Sequence, residues 1–117
     1  MANAFKLVTR DVAPASAGSP ETIYTVQSGS TIVLLGLTLC NVHTDQVTGT
    51  VQVVSTTTQT SQTQNTTAHI AKSMPIAVGQ TVDVIINKIN LNVGDIVKVD
   101  CSVADKLSVT FNYMEIT

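Results

Sequence analysis

Thr31-Ile32-Val33-Leu34-Leu35-Gly36-Leu37-Thr38-Leu39-Cys40-Asn41-Val42 is the most apolar stretch of the chain, and its reading decides the fold. It carries no charge, follows the turn signal Ser28-Gly29-Ser30 and gives way to polar residues beyond Val42. Read as a strand, it puts Val33, Leu35, Leu37 and Leu39 on one face and Ile32, Leu34, Gly36, Thr38, Cys40 and Val42 on the other. Apolar residues on both faces place it in the middle of a sheet, with material packed on each side. Gly36, the threonines and the β-branched residues argue against a helix, and the run is too short to cross a bilayer. A straight strand of this length would reach about 40 Å at ~3.3 Å per residue, so a bend or bulge is expected at Gly36.

Outward from this strand the chain reads as more strands. Glu21 to Gln27 is expected to form a hairpin with it through Ser28-Gly29-Ser30. Val47 to Ser55 alternates, with Val47, Gly49, Val51 and Val53 inward. Ala68 to Lys72 is a short strand, and Pro75 marks an edge or break before Ile76-Ala77-Val78. Val82, Val84 and Ile86 share a face, and Ile89 and Leu91 continue an inward set. Gly94-Asp95 turns the chain into Ile96 to Val103, with Val97, Val99, Cys101 and Val103 inward. Leu107, Val109, Phe111 and Tyr113 share a face of the last strand. The sum is an all-β, single-domain antiparallel β-sandwich over residues 1–117, jelly-roll or immunoglobulin-like, with about 7–9 strands and no substantial helix. Residues 1–12 form an N-terminal arm or an edge strand, and 13–20, rich in Ala, Ser, Gly and Pro, a linker.

Composition narrows the function. The 117 residues suit one domain with its own core. Hydrophobic residues make up 44% and charged residues only 12%, so Thr, Ser, Asn and Gln fill the polar share. Surfaces poor in charge suit lasting contact with other protein. A net charge of −2, with basic residues scattered singly, is not a nucleic-acid footprint. At 3% aromatics and no Trp, there is no stacking platform, which also weakens a carbohydrate-binding reading. No apolar signal-peptide core and no transmembrane run are present, so a cytoplasmic origin without membrane contact is expected.

Catalytic chemistry finds no foothold. His43 and His69 have no ligand at metal-like spacing, and Cys40 and Cys101 read as reduced core thiols, with a disulfide joining facing strands as the alternative. The carboxylates make no paired acid/base context, and no calcium loop, nucleophile elbow or phosphate-binding loop occurs. The reading is of a protein that is not an enzyme, with no catalytic residues, no cofactor and no metal. Residues 56–67, Thr-Thr-Thr-Gln-Thr-Ser-Gln-Thr-Gln-Asn-Thr-Thr, contain no apolar side chain and read as a hairpin tip or polar loop. Partner contacts are assigned to Phe5 and Leu7 in the first segment and to Thr57, Thr58, Thr60 and Thr63 in this one.

Three stretches taken in order carry a likeness: Met1-Ala-Asn-Ala-Phe-Lys6, the block from Glu21 to Val42, and Leu91-Asn-Val-Gly-Asp-Ile-Val-Lys-Val99 with the closing Met114-Glu-Ile116. Together they resemble small all-β virion proteins of tailed bacteriophages. The resemblance implies a structural component of the virion, made in the host cytoplasm. It would be a capsid decoration or cement protein that forms a homo-oligomer and binds other virion proteins, either the major capsid protein or neck and tail components. A neck, tail or fibre accessory protein is the alternative within that class, and a carbohydrate-binding module the alternative outside it.

Overall fold

A computed structural model describes residues 3–56, 65–85 and 88–117. It contains nine strands: β1 Asn3–Ala13, β2 Glu21–Thr25, β3 Thr31–Asn41, β4 Val47–Val54, β5 Thr67–Ile76, β6 Thr81–Asp83, β7 Ile89–Leu91, β8 Ile96–Cys101 and β9 Leu107–Ile116. No helix occurs among the described residues. The strands form two antiparallel sheets packed as a β-sandwich. The first runs β1-β9-β3-β6, with β7 alongside β6 on the same edge of β3, and the second runs β2-β8-β4-β5.

The pairings nest about one point. β4 pairs β5, β3 pairs β6 and β7, β2 pairs β8, and β1 pairs β9. The chain is thus one long ribbon doubled back between β4 and β5. It is then rolled so that β9 lies against β3 and β8 against β4. This is the jelly-roll order, and it separates the fold from the immunoglobulin arrangement. It also means that β2 and β3, expected as a hairpin, belong to different sheets. At Val26 the backbone bonds to Asp95 and Gly94 of the turn leading into β8, and the chain then crosses over.

The inner faces of β4, β8 and β9 follow the alternation of the sequence. Val47 and Val51, Val97, Val99 and Cys101, and Leu107, Val109, Phe111 and Tyr113 are all buried, while Val53 and Val103 are half-buried. β3 does not follow it. Its register with β9 slips between Leu34, opposite Tyr113, and Gly36, opposite Asn112, which leaves Leu35 as an extra residue. A bulge of one residue exchanges the two faces of everything beyond it. Ile32 and Leu34 point inward before it, and Leu37, Leu39 and Asn41 after it. Both alternating sets of β3 are therefore apolar because each faces the core over half of the strand. The expected packing on both sides is not needed to explain the pattern, and Leu35, expected in the core, is only half-buried.

Gly36 permits the slip, because a Cβ there would come within 2.6 Å of Asn112 Oδ1. The second sheet has its own irregular edge. The residues expected as two short strands about Pro75 form the single strand β5, whose register with β4 shifts twice. Pro75 lies on that edge, where its missing N–H does no harm.

Candidate interaction face

Residues directly opposite one another on neighbouring strands share a face of the sheet. Lys6, Val8 and Arg10 of β1 lie opposite Tyr113, Phe111 and Val109, so they lie on the inner side. Phe5, Leu7 and Thr9 lie opposite Met114, Asn112 and Thr110, so they lie on the outer side. Three rows then cross the outer face of the first sheet. Phe5, Met114, Val33 and Asn90 make one, Leu7, Asn112 and Gly36 the next, and Thr9, Thr110, Thr38 and Asp83 the third. Only Asp83 in these rows is charged, and its Oδ1 accepts hydrogen bonds from the N–H groups of Ile85 (3.0 Å) and Leu37 (3.4 Å).

Phe5 is 78% exposed and Leu7 61%. The chain has four aromatic residues. The half-buried Tyr24 meets the buried Phe111 and Tyr113 with ring centroids 5.1–5.4 Å apart, and the fourth is Phe5. An exposed ring beside Leu7, Met114, Val33 and Leu35 makes an apolar patch on a face otherwise covered mostly by Thr, Ser and Asn. The outer face of the second sheet differs. There Thr22, Lys98, Gln52 and His69 form one row and Asp100 lies opposite Thr50, a polar and charged surface of the usual kind.

The two cations of β1 are directed away from the patch and paired within the chain. Lys6 donates to Glu115 at 2.6 Å, and Ser30 Oγ donates to the other oxygen of the same carboxylate. The hydrogen bond between them, with their mutual attraction, holds Lys6 above and Glu115 below their ordinary pKa values. Arg10 pairs with Glu21, tying β1 of one sheet to β2 of the other. Burial first, and then the hydrogen bond to Tyr113, pushes the Tyr24 phenol up to about 12.

Thr57, Thr58, Thr60 and Thr63 lie outside the described residues. The base of their segment is described and firmly held. Ser55 N–H donates to Thr66 O, and Thr56 N–H donates to Asp95 Oδ1 at 2.7 Å. The buried Asp95 carboxylate also accepts from Asn92 N–H at 2.9 Å, which closes the β7–β8 turn. That turn, the β2–β3 crossover and the Asn3 end of β1 all sit at one end of the sandwich. The fold thus brings the base of the threonine-rich segment to the same end as Phe5. Sequence reading located Phe5 and Leu7 but missed Val33 and Leu35, whose direction depends on the bulge, and Met114, which alternation along β9 already sets on the outer face.

The residues considered for chemistry are scattered. No group of three or more His, Cys, Asp or Glu that could hold a metal occurs among the described residues. His43 Nε2 is 3.9 Å from Asp45, and His69 Nε2 is 3.2 Å from Gln52 Nε2 on the other sheet. Both cysteines are free thiols. Cys101 is buried on the inner face, whereas Cys40 lies opposite Ser108 on the outer face and is half-buried, less enclosed than its apolar neighbours suggest. Every buried side-chain polar atom among the described residues has a hydrogen-bond partner. Comparison with known protein families, with characterised proteins and with solved structures gave no match.

Proposed function

We propose that the protein is a non-enzymatic structural component of a bacteriophage virion, a capsid decoration or cement protein that binds the head by the outer face of its first sheet. The observation that carries the binding half of this reading is the face that displays Phe5 and Leu7, with Asp83 as the one charge in its three rows. Burying such a face costs little desolvation of charge, and an aromatic anchor beside aliphatic side chains is a common centre for protein contact. The bacteriophage half rests on the resemblance of the three sequence stretches. Jelly rolls also serve as capsid domains, lectins and cupins, so the architecture is compatible with this role without selecting it. Of the four aromatic rings only Phe5 is largely exposed, and one ring is a poor platform for sugar.

The test is binding to intact heads. Fluorescently labelled protein is expected to cover the head surface and to co-sediment with particles about equally at 50 and 500 mM salt, because few charges take part. Phe5→Ser with Leu7→Ser is expected to abolish binding while the protein stays folded. Signal confined to one vertex would move the protein to the neck or tail, and failure to bind particles would overturn the proposal.

A further inference from the structure

Each sheet of an open sandwich has two edges, and an exposed edge is a row of unpaired backbone groups that natural proteins usually blunt. Three of the four edges here are blunted. β6 and β7 have three residues each. β2 has five, with a slip in register between Thr22 and Tyr24. β5 carries Pro75, Lys72 and two irregularities, with Ser73 at φ 49°. From Asn3 to Arg10, β1 carries only the inward charges Lys6 and Arg10, and each is already paired with a carboxylate of its own chain. Its register with β9 is unbroken there, it contains no Pro or Gly, and its outer row presents Phe5 and Leu7. A long, regular, apolar edge is a surface for adding a strand.

We infer that this edge pairs with a second copy of the chain, β1 antiparallel to β1 about a two-fold axis at Leu7, making one continuous sheet across the dimer. The side chains choose the axis. For the outer faces of the two copies to coincide, the axis must pass through a residue of the strand. An axis at Lys6 would set like charges opposite each other, and one at Val8 would set Lys6 against Arg10. An axis at Phe5 pairs only Asn3 to Leu7 of the described strand, and one at Thr9 would carry the pairing through the irregular stretch between Arg10 and Ala13.

At Leu7 the pairing runs from Asn3 to Asp11. Leu7 meets Leu7, Phe5 meets Thr9, Lys6 meets Val8, and Arg10 meets Ala4. No two like charges are opposed. Both cations already have partners within their own chain, so an incoming strand leaves neither cation unpaired. Asn3 faces Asp11, a neutral donor beside a carboxylate. The apolar rows of the two copies then join through their leucines into one strip extending to Met114 and Val33 on each side. This inference concerns the purified protein and stands apart from which particle it joins.

Analytical ultracentrifugation of the full chain between 1 and 300 µM tests it, with hydrogen exchange of the β1 amides. The expected result is a concentration-dependent dimer in which Asn3 to Asp11 gain protection. Leu7→Lys and Leu7→Glu each place like charges opposite each other on the axis. Each is expected to raise the dimer dissociation constant by at least about tenfold, since like charges directly opposed are destabilising. Circular dichroism should show both variants folded, as Leu7 is exposed in the monomer. Mixing them in equal amounts should restore a dimer, because each axis then carries one charge of each sign. A chain that stays monomeric up to 300 µM would overturn the inference, even if its β1 amides became protected on adding another virion protein. So would a dimer indifferent to both charges, or variants whose mixture does not recover.

Discussion

Leu35 and Leu37 are two residues apart on one strand, and a regular strand would bury them equally. The bulge separates them, so their truncations test the fold more sharply than either alone. Leu37 is fully buried, and Leu37→Ala removes its apolar contact and leaves a cavity among packed side chains. That change should cost about 2–5 kcal/mol. Leu35 is the unpaired bulge residue and is half-buried on the outer face, where truncation opens to solvent and leaves no closed cavity. Only part of its transfer free energy is at stake, about 1 kcal/mol. Urea unfolding followed by circular dichroism gives both numbers, provided the slope against denaturant is unchanged. At roughly 3–5 °C per kcal/mol, the melting temperature should fall by about 6–25 °C for Leu37→Ala and by roughly 5 °C or less for Leu35→Ala. Equal losses at the two positions would refute the bulge and the inward assignment of β3 that rests on it.

Two further outcomes follow from the polar groups. Asp95→Ala deprives the N–H groups of Thr56 and Asn92 of their acceptor and should cost about 1–3 kcal/mol, measured by thermal unfolding. The Tyr24 phenol is held near 12 against an ordinary value of 10.0, so its neutral form is favoured in the folded state. Its contribution is fully present below pH 10 and is lost as pH rises through 12, and Tyr24→Phe should flatten stability across that window. Glu115 works in the opposite direction. Its lowered pKa contributes stability above its ordinary value of 4.5, and this is lost as pH falls through the folded-state value, a limb that Glu115→Gln should remove.

Alternation alone located the inner faces of β4, β8 and β9, because each of those strands keeps one phase along its length. It could not place the inward set of β3. Gly36 marked a probable bend, but whether one residue is inserted there depends on the partner, Asn112, which is remote in sequence. The β2–β3 hairpin failed for a related reason. Ser28-Gly29-Ser30 does turn the chain, but the choice between pairing within a sheet and crossing to the other is made at Val26 by Gly94 and Asp95. Strand order likewise depends on pairings between the ends of the chain, so the sequence could not separate a jelly roll from an immunoglobulin-like sandwich. At the candidate face, Phe5 and Leu7 stood out as large apolar residues in a weak pattern. Their neighbour Val33 looked like an ordinary core residue until the register placed it outside.

The position of β9 carries a consequence for synthesis. It lies between β1 and β3, so two strands made early wait for the one made last. Until Leu107–Ile116 has left the ribosome, the first sheet exists as separated pieces, with the apolar inner side of β3 and the regular edge of β1 both uncovered. Pairings this distant along the chain are slow to form and expose sticky surface meanwhile. A nascent chain stalled just before Leu107 could complete the second sheet, β2-β8-β4-β5, but would leave the first open. Such arrested chains should be captured by chaperones, and extension by the ten residues of β9 should release them.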